Sequence, residues 1–453
     1  MSFPRYRRGL TLVELLVSTS LSLIIIYAVV HVFGEVGREI SASRSLIEMS
    51  GATRNTRDRL DRDLATISVP VRPWPELSAA AGYFEYIEFS ESDKVGFNRE
   101  STLGDTDDVL MFTAYSPEEP FVGQILGTPA LQSNGRFLVT GTTPTIIEAY
   151  AAEIIYWTSF NDSNGNGVLD TFDPTGSQIP ERMKLHRRVL LVRPDFDFPT
   201  GVSTNFYQNN DVSVRRAPGS TNVIANSLAD LTQRENRFAH DIRFLTGGAA
   251  PAFPAELTRG MLTALELAGT RQGEDVIAAE ISAFDVQAFD PLVPVLRKTM
   301  TDGSFVAITP NDPGYAAPTP ATTTVLGEYV NLGFGFGVGS HFSGAVNNRS
   351  QLTRPTYDTW SWHYEADGVD QDGDGLIDEG TNHLDDEWNG SNHSVNVASG
   401  GSTGVFGIDD ETERETSPPY PVPLRGIRVT VRMVEHDSQQ VRQIAVAQNF
   451  VPK

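Results

Sequence analysis

From Leu10 to Phe33 the chain is almost unbroken apolar sequence, and the pattern then changes to apolar residues spaced between charges. Leu46, Ile47, Leu60, Leu64 and Ile67 recur at near-helical intervals among Arg57, Asp58, Arg59, Asp61, Arg62 and Asp63. No Pro occurs between Pro4 and Pro70. The spacing therefore predicts one helix from Leu10 to about Ile67, 58 residues and about 87 Å long. Gly34, Gly37 and Gly51 are its expected soft points.

Beyond Pro70 the period shortens toward two. Tyr83–Phe89, Asp107–Thr113, Glu153–Thr158, His186–Arg193 and Ile281–Phe289 read as strands, rich in β-branched and aromatic residues. Ile427–Val434 and Val441–Val451 read as a closing hairpin joined near Glu435–Gln440. Ile224–Arg234 and Leu257–Leu267 read as short helices. Between Pro291 and Pro423 the composition shifts: Pro, Thr and Ala at 310–324, a Gly-Phe-Gly-Phe-Gly run within 331–345, and Pro418, Pro419, Pro421 and Pro423 before the last hairpin. This stretch, about 291–423, is expected to be an insertion. The fold class that follows is α+β: a long N-terminal helix, then residues 68–453 as a large, mostly antiparallel sheet domain.

The apolar run Leu10–Phe33 has 24 residues, about 36 Å of helix, enough to cross a bilayer. Glu14 is its one formal charge, and Arg5, Arg7 and Arg8 precede it. Basic residues before a span place that end in the cytoplasm and the rest of the chain outside. A secretory signal would have a shorter apolar stretch followed by a small-residue cleavage site, and no such site follows here. A charge inside a span is costly and marks a function by default, so Glu14 needs a partner.

The stretch Arg7-Arg8-Gly9-Leu10-Thr11-Leu12-Val13-Glu14-Leu15-Leu16-Val17 resembles the prepilin-type leader of type IV pilins and type II secretion pseudopilins. The resemblance implies a pilin-like fold and a leader, residues 1–9, removed by prepilin peptidase after Gly9. It implies N-methylation of Leu10, and pairing of Glu14 with a neighbouring subunit's amino terminus during assembly. A carboxylate opposite an ammonium costs far less in lipid than either alone. Leu10 departs from the family's usual Phe, and the helix-kinking Pro of many major pilins is missing. The length, with Leu60-Asp61-Arg62-Asp63-Leu64 and the run Asp107-Asp108-Val109-Leu110-Met111-Phe112-Thr113, is similar to the minor pseudopilin J and PilW-like minor pilins. The large pseudopilin K is the alternative by size, but that group usually lacks the glutamate. The resemblance is strong over about residues 5–35 and architectural after 115.

The formal charge is −23, with 35 Lys+Arg against 58 Asp+Glu, which argues against a nucleic-acid binder. Cys is absent, excluding disulfides, thiolate metal sites and Cys nucleophiles. The acidity is concentrated: residues 365–387 hold ten Asp/Glu and no Lys or Arg. Within them Asp370, Asp372 and Asp374, the Leu376 carbonyl and Asp378 have the alternating oxygen-ligand spacing of an EF-hand-type loop, with Gly375 at its turn. Thr381 stands where that loop would place a bidentate Glu, so Glu379, Asp385 or Asp386 would complete the shell. Asp162, Asn164, Asn166, the Val168 carbonyl, Asp170 and Asp173 repeat the offsets. Oxygen ligands alone favour a structural Ca²⁺ at both, against the reading that Asp/Asn/Gly runs are turns.

His383 and His393 with Asp385, Asp386 and Glu387 form a weaker metal candidate, for which a solvated acidic loop is the plainer reading. Trp360, Trp362, His363 and Tyr364 read as a core or loop anchor before a carbohydrate surface. No nucleophile elbow, zinc-protease motif, P-loop or dinucleotide fingerprint is present. The expectation is a non-enzymatic structural subunit, single-pass in the inner membrane, with its amino terminus cytoplasmic and its domain periplasmic or extracellular. Its partners would be other pilins or pseudopilins, prepilin peptidase, the inner-membrane assembly platform and lipid. The alternative is a pilus-tip adhesin whose 291–423 insertion binds a surface. An anchored hydrolase has no motif behind it.

Overall fold

The computed structural model describes residues 11–71, 82–88, 106, 108–160, 183–199, 205–217, 222–238, 240, 262, 265–310, 315, 323–332, 356–360, 423–435 and 440–450. The first element, α1, runs unbroken over Leu12–Ala65. Gly34, Gly37 and Gly51 sit inside it with open space around each, so none of them serves a close approach. The helix ends two residues before the expected Ile67. Thr66 caps it, donating its N–H to the Asp63 carbonyl, and Ile67 instead bridges to Ala114 at the sheet.

The strands that follow are β1 (Phe84–Ile87), β2 (Val109–Tyr115), β3 (Phe121–Leu131), β4 (Phe137–Ala149), β5 (Ala151–Phe160), β6 (Met183–Leu191) and β7 (Phe196–Asp197). After a one-turn helix α2 (Asn205–Asn209) come β8 (Val214–Arg216), β9 (Val223–Ala225), β10 (Val276–Thr299), β11 (Phe305–Ile308), β12 (Thr323–Val330) and β13 (Thr356–Asp358). The hairpin β14 (Gly426–Glu435) and β15 (Gln440–Asn449) closes the order. One ten-stranded antiparallel sheet has the order β13-β1-β2-β5-β6-β10-β14-β15, with β11 and β12 also paired to β10. A smaller sheet, β3-β4-β7, and the pair β8-β9 stand beside it. An apolar N-terminal helix followed by a large antiparallel sheet domain is thus the architecture.

Strand β5 shows how the layers are built. Its interior residues, polar Glu153, Thr158 and Ser159 among them, are buried on both faces. Tyr156 points to the helix layer, where its hydroxyl donates to Asp63. Glu153 and Trp157 point the other way, Glu153 toward Ser213 and the Phe238 N–H and Trp157 toward the Phe238 ring. The core follows: Leu60 and Leu64 of α1, Phe112 and Ile154 of the central strands, and Val286, Val429 and Val431 farther along are all essentially sealed from solvent.

Two expectations need correction. Residues 224–234 are not a helix: β9 occupies Val223–Ala225, and two short 3₁₀ turns follow at Asp230–Thr232 and Arg234–Asn236. The local reason is Ser227, whose N–H and hydroxyl both donate to the Asp230 carboxylate, closing a tight turn in place of a helical one. Leu257–Leu267 lies mainly outside the described residues. The expected boundary at Pro291 falls inside β10, which continues to Thr299. The Asp290 carboxylate accepts the Leu292 N–H, and the register shifts between Asp290 and Pro294, so a bulge carries the strand past both prolines. From the expected insertion, β12 pairs with β10 and β13 with β1. Trp360, just after β13, is 1 % exposed, and its indole N–H donates to the Gly82 carbonyl, which makes it a core anchor.

Candidate functional site

The site with the most chemistry per residue is α1 and its junction with the sheet. Its first 26 residues, Leu12–Gly37, are long and apolar enough to cross a membrane and are not buried against the rest of the chain. Leu12, Ile24, Ile26, Tyr27 and Phe33 all lie more than half exposed. A soluble protein leaves so large an apolar surface bare only where something else covers it. The hydroxyls along it are turned inward: Ser18, Thr19, Ser20 and Ser22 each donate to a carbonyl three or four residues back. Such bonding satisfies polar groups where water is absent.

At its start the helix carries a reciprocal cap. The Thr11 hydroxyl oxygen accepts the Glu14 N–H at 3.3 Å, and the Glu14 carboxylate accepts the Thr11 N–H at 2.9 Å. The Thr11 hydroxyl lies 2.9 Å from the same carboxylate oxygen. Thr-x-x-Glu ahead of an apolar run is the sequence signature of this capping box, a signal legible at Thr11 and Glu14 and not read there. Glu14 is thus held at the helix start, its carboxylate facing the side from which the chain enters. Gly9 and Leu10 lie outside the described residues.

The lower half of α1 docks on β15, β10 and β14. Met49, Thr53, Thr56, Leu60, Asp63 and Leu64, spaced by three and four, form its buried face. The Thr53 hydroxyl donates to the Met49 carbonyl and lies 3.6 Å from the Met433 sulfur of β14. Ile47, expected on this face, is 71 % exposed. At the end of the helix Asp63 meets three donors. Arg187 of β6 reaches it with Nε at 2.6 Å and Nη2 at 2.8 Å, and the Tyr156 hydroxyl with 2.5 Å. Burial would lower the Arg187 pKa, but Asp63 outweighs it and holds the guanidinium firmly charged.

Farther from the helix the sheet buries more charge. Glu85 of β1 sits among Arg234, Arg237 and His240, with Asp358 of β13 also on Arg237. Burial alone would raise the Glu85 pKa, yet His240 and the two guanidiniums hold it well below the usual carboxylate range. Burial also lowers the His240 pKa, against the pull of Glu85. Glu153 is pushed up by burial although Ser213, Tyr83 and the Phe238 N–H all donate to it. Sequence reasoning singled out none of these groups, because their partners lie 60 to 155 positions apart.

Ser159, His186 and Asp275 line up with 2.8 Å between the Ser159 hydroxyl and Nε2, and 3.4 Å between Nδ1 and Asp275. His186 stacks flat on Trp157, and Ser159 is 1 % exposed, so the hydroxyl is sealed inside the fold rather than offered to a substrate. Both loops with cation-ligand spacing, Asp162–Asp173 and Asp370–Asp378, fall outside the described residues, as do His383, His393 and the acidic residues beside them. Among the described residues no group of three or more His, Asp or Glu is arranged to hold a metal ion. No family model, curated protein or solved structure matches this chain.

Proposed function

We propose that this chain is a minor pilin or pseudopilin, a non-enzymatic structural subunit held in the inner membrane by Leu12–Gly37 until it is assembled into a type II secretion pseudopilus or a type IV pilus tip. The observation that carries the reading is one continuous helix with two halves of opposite character. The first half is a bare apolar span in which Glu14 is the one carboxylate as far as Phe33. The second is docked along a large antiparallel sheet. A cleaved signal sequence accounts for the first half but not for its unbroken continuation into the second.

On this reading prepilin peptidase cuts after Gly9, Leu10 becomes the methylated amino terminus, and Glu14 pairs with the amino terminus of an adjacent subunit. The new terminus would precede Glu14 by four positions in the sequence, and Thr11 holds the Glu14 carboxylate at the start of the helix. The sheet domain stands outside the membrane, with Ca²⁺ ordering the two Asp/Asn-rich loops. The partners are other pilins or pseudopilins, the peptidase, the assembly platform and lipid.

The test is the mature amino terminus. Membrane fractions from cells with and without the peptidase are extracted, and the chain is analysed by N-terminal sequencing and intact mass. A chain beginning at Leu10 with one added methyl, only where the peptidase is present, is expected. A chain beginning elsewhere in peptidase-positive cells overturns the processing step, and release of the chain by alkaline carbonate overturns the membrane anchor.

A further inference from the structure

Between the span and the docked turns α1 carries a second pattern. Val36, Ile40, Ser43 and Ile47 follow one another at intervals of four, three and four, the spacing of the seam between two coiled helices. Val29 and Phe33 continue the same series into the apolar span. The seam lies away from the sheet. Val36, Ile40 and Ile47 are 44 %, 64 % and 71 % exposed, whereas Met49, Thr53, Thr56 and Leu60 bear the docked face. One shallow groove runs along this stretch, with Glu39 and Arg44 on its rims.

The charges on the rims say what fits there. With Ile40 and Ile47 at heptad position a, and Val36 and Ser43 at d, Glu39 falls at g and Arg44 at the following e. In a parallel pair, g of one helix meets the e five residues on in the other. Glu39 would meet Arg44 of an identical helix, and Arg44 its Glu39, so the stretch is complementary to itself. In the single chain Arg44 bonds Glu48 at 2.9 Å, with side chains 81 % and 65 % exposed, and such surface pairs exchange partners at little cost. Ser43 at a d position lets the helices approach closely.

We propose that residues 36–47 are a docking seam for a second copy of this chain, its helix parallel and in register. The proposal rests on the membrane reading, because two copies inserted with the same topology are held parallel.

The absence of Cys makes the test direct. Full-length chains with Ile40→Cys, Ile47→Cys or, as an off-seam control, Glu35→Cys are expressed in membranes, washed with alkaline carbonate and oxidised. Disulfide-linked dimers several-fold more abundant at positions 40 and 47 than at 35 are expected. In the Ile40→Cys background, Glu39→Arg alone and Arg44→Glu alone should each reduce the dimer, and the two together should restore it. Equal cross-linking at all three positions overturns the seam, and so does cross-linking only to a different protein. Retention in the carbonate-washed membrane without dimers overturns the seam and leaves the anchor standing. Release by carbonate overturns both.

Discussion

Arg187, near the middle of β6, grips Asp63 in the last turn of α1 with two nitrogens, at 2.6 and 2.8 Å. Both side chains are largely buried, at 13 % and 7 % exposed, and Tyr156 completes the set. Removing one member of such a pair leaves the other charge unmatched in a poor solvent. Asp63→Ala is therefore expected to cost about 3 kcal/mol, read as a lower urea midpoint, with earlier hydrogen exchange along residues 49–64. Asp63→Leu combined with Arg187→Met should recover much of that loss. If the double variant is as unstable as the single one, the pair is not what joins helix to sheet.

Glu14 makes a different prediction, because its carboxylate is at the start of the span. Glu14→Ala should leave membrane insertion intact and reduce incorporation into filaments or tip complexes, measured by co-sedimentation with sheared pili or pseudopili. The variant also loses half of the capping box, which costs roughly 1 kcal/mol. Thr11→Ala removes the other half while keeping the carboxylate, and should assemble normally. Equal defects in both variants would assign the effect to the cap.

The Glu85 cluster predicts an acid-labile fold. His240 has a lowered pKa in the folded chain, so the unfolded chain takes up its proton first as pH falls below about 6.5. Its contribution is present above that pH and lost as pH falls toward the folded value. Glu85, also lowered, acts in the same direction beginning near pH 4.3. The melting temperature should therefore fall from pH 7 to pH 5, with a smaller drop in His240→Asn. An identical slope in the variant would remove His240 as the source.

The two loops with cation-ligand spacing predict a Ca²⁺-dependent melting temperature. At free Ca²⁺ about a hundred times Kd, binding at one site adds roughly 2.7 kcal/mol, which chelation removes. Calorimetry of the full chain with and without chelator, repeated on Asp372→Ala and Asp162→Ala, reads the two loops separately. No change on chelation in the parent chain would exclude structural Ca²⁺.

The long helix and the central strands were legible because their signals are local. A bare apolar run, a charge-flanked 3.6 period and short alternating segments each point to one structure. The β3–β4 hairpin was not legible. Gly127 lies at φ +128 with Val139 and Thr140 close by, and Pro129 and Pro144 interrupt both strands, so propensity argued against eleven- and thirteen-residue partners. β10 was half read for a similar reason, since Pro291 and Pro294 look like a stop until the Asp290 bulge is known. The buried charges were invisible because charge in sequence reads as surface. Only the fold reveals that Arg237 and Glu85 face each other 152 positions apart.

The helix also has a mechanical side. From Gly37 to Asp63 the axis advances about 39 Å, and the Asp63–Arg187 clasp lies at the end farther from the span. A pull along the span would shear the docked turns against the sheet in parallel before the clasp carried the remainder. Bonds loaded in shear share force, whereas bonds opened from one end fail in turn. The placement of Asp63 suits a helix loaded along its own axis against the sheet domain that it carries.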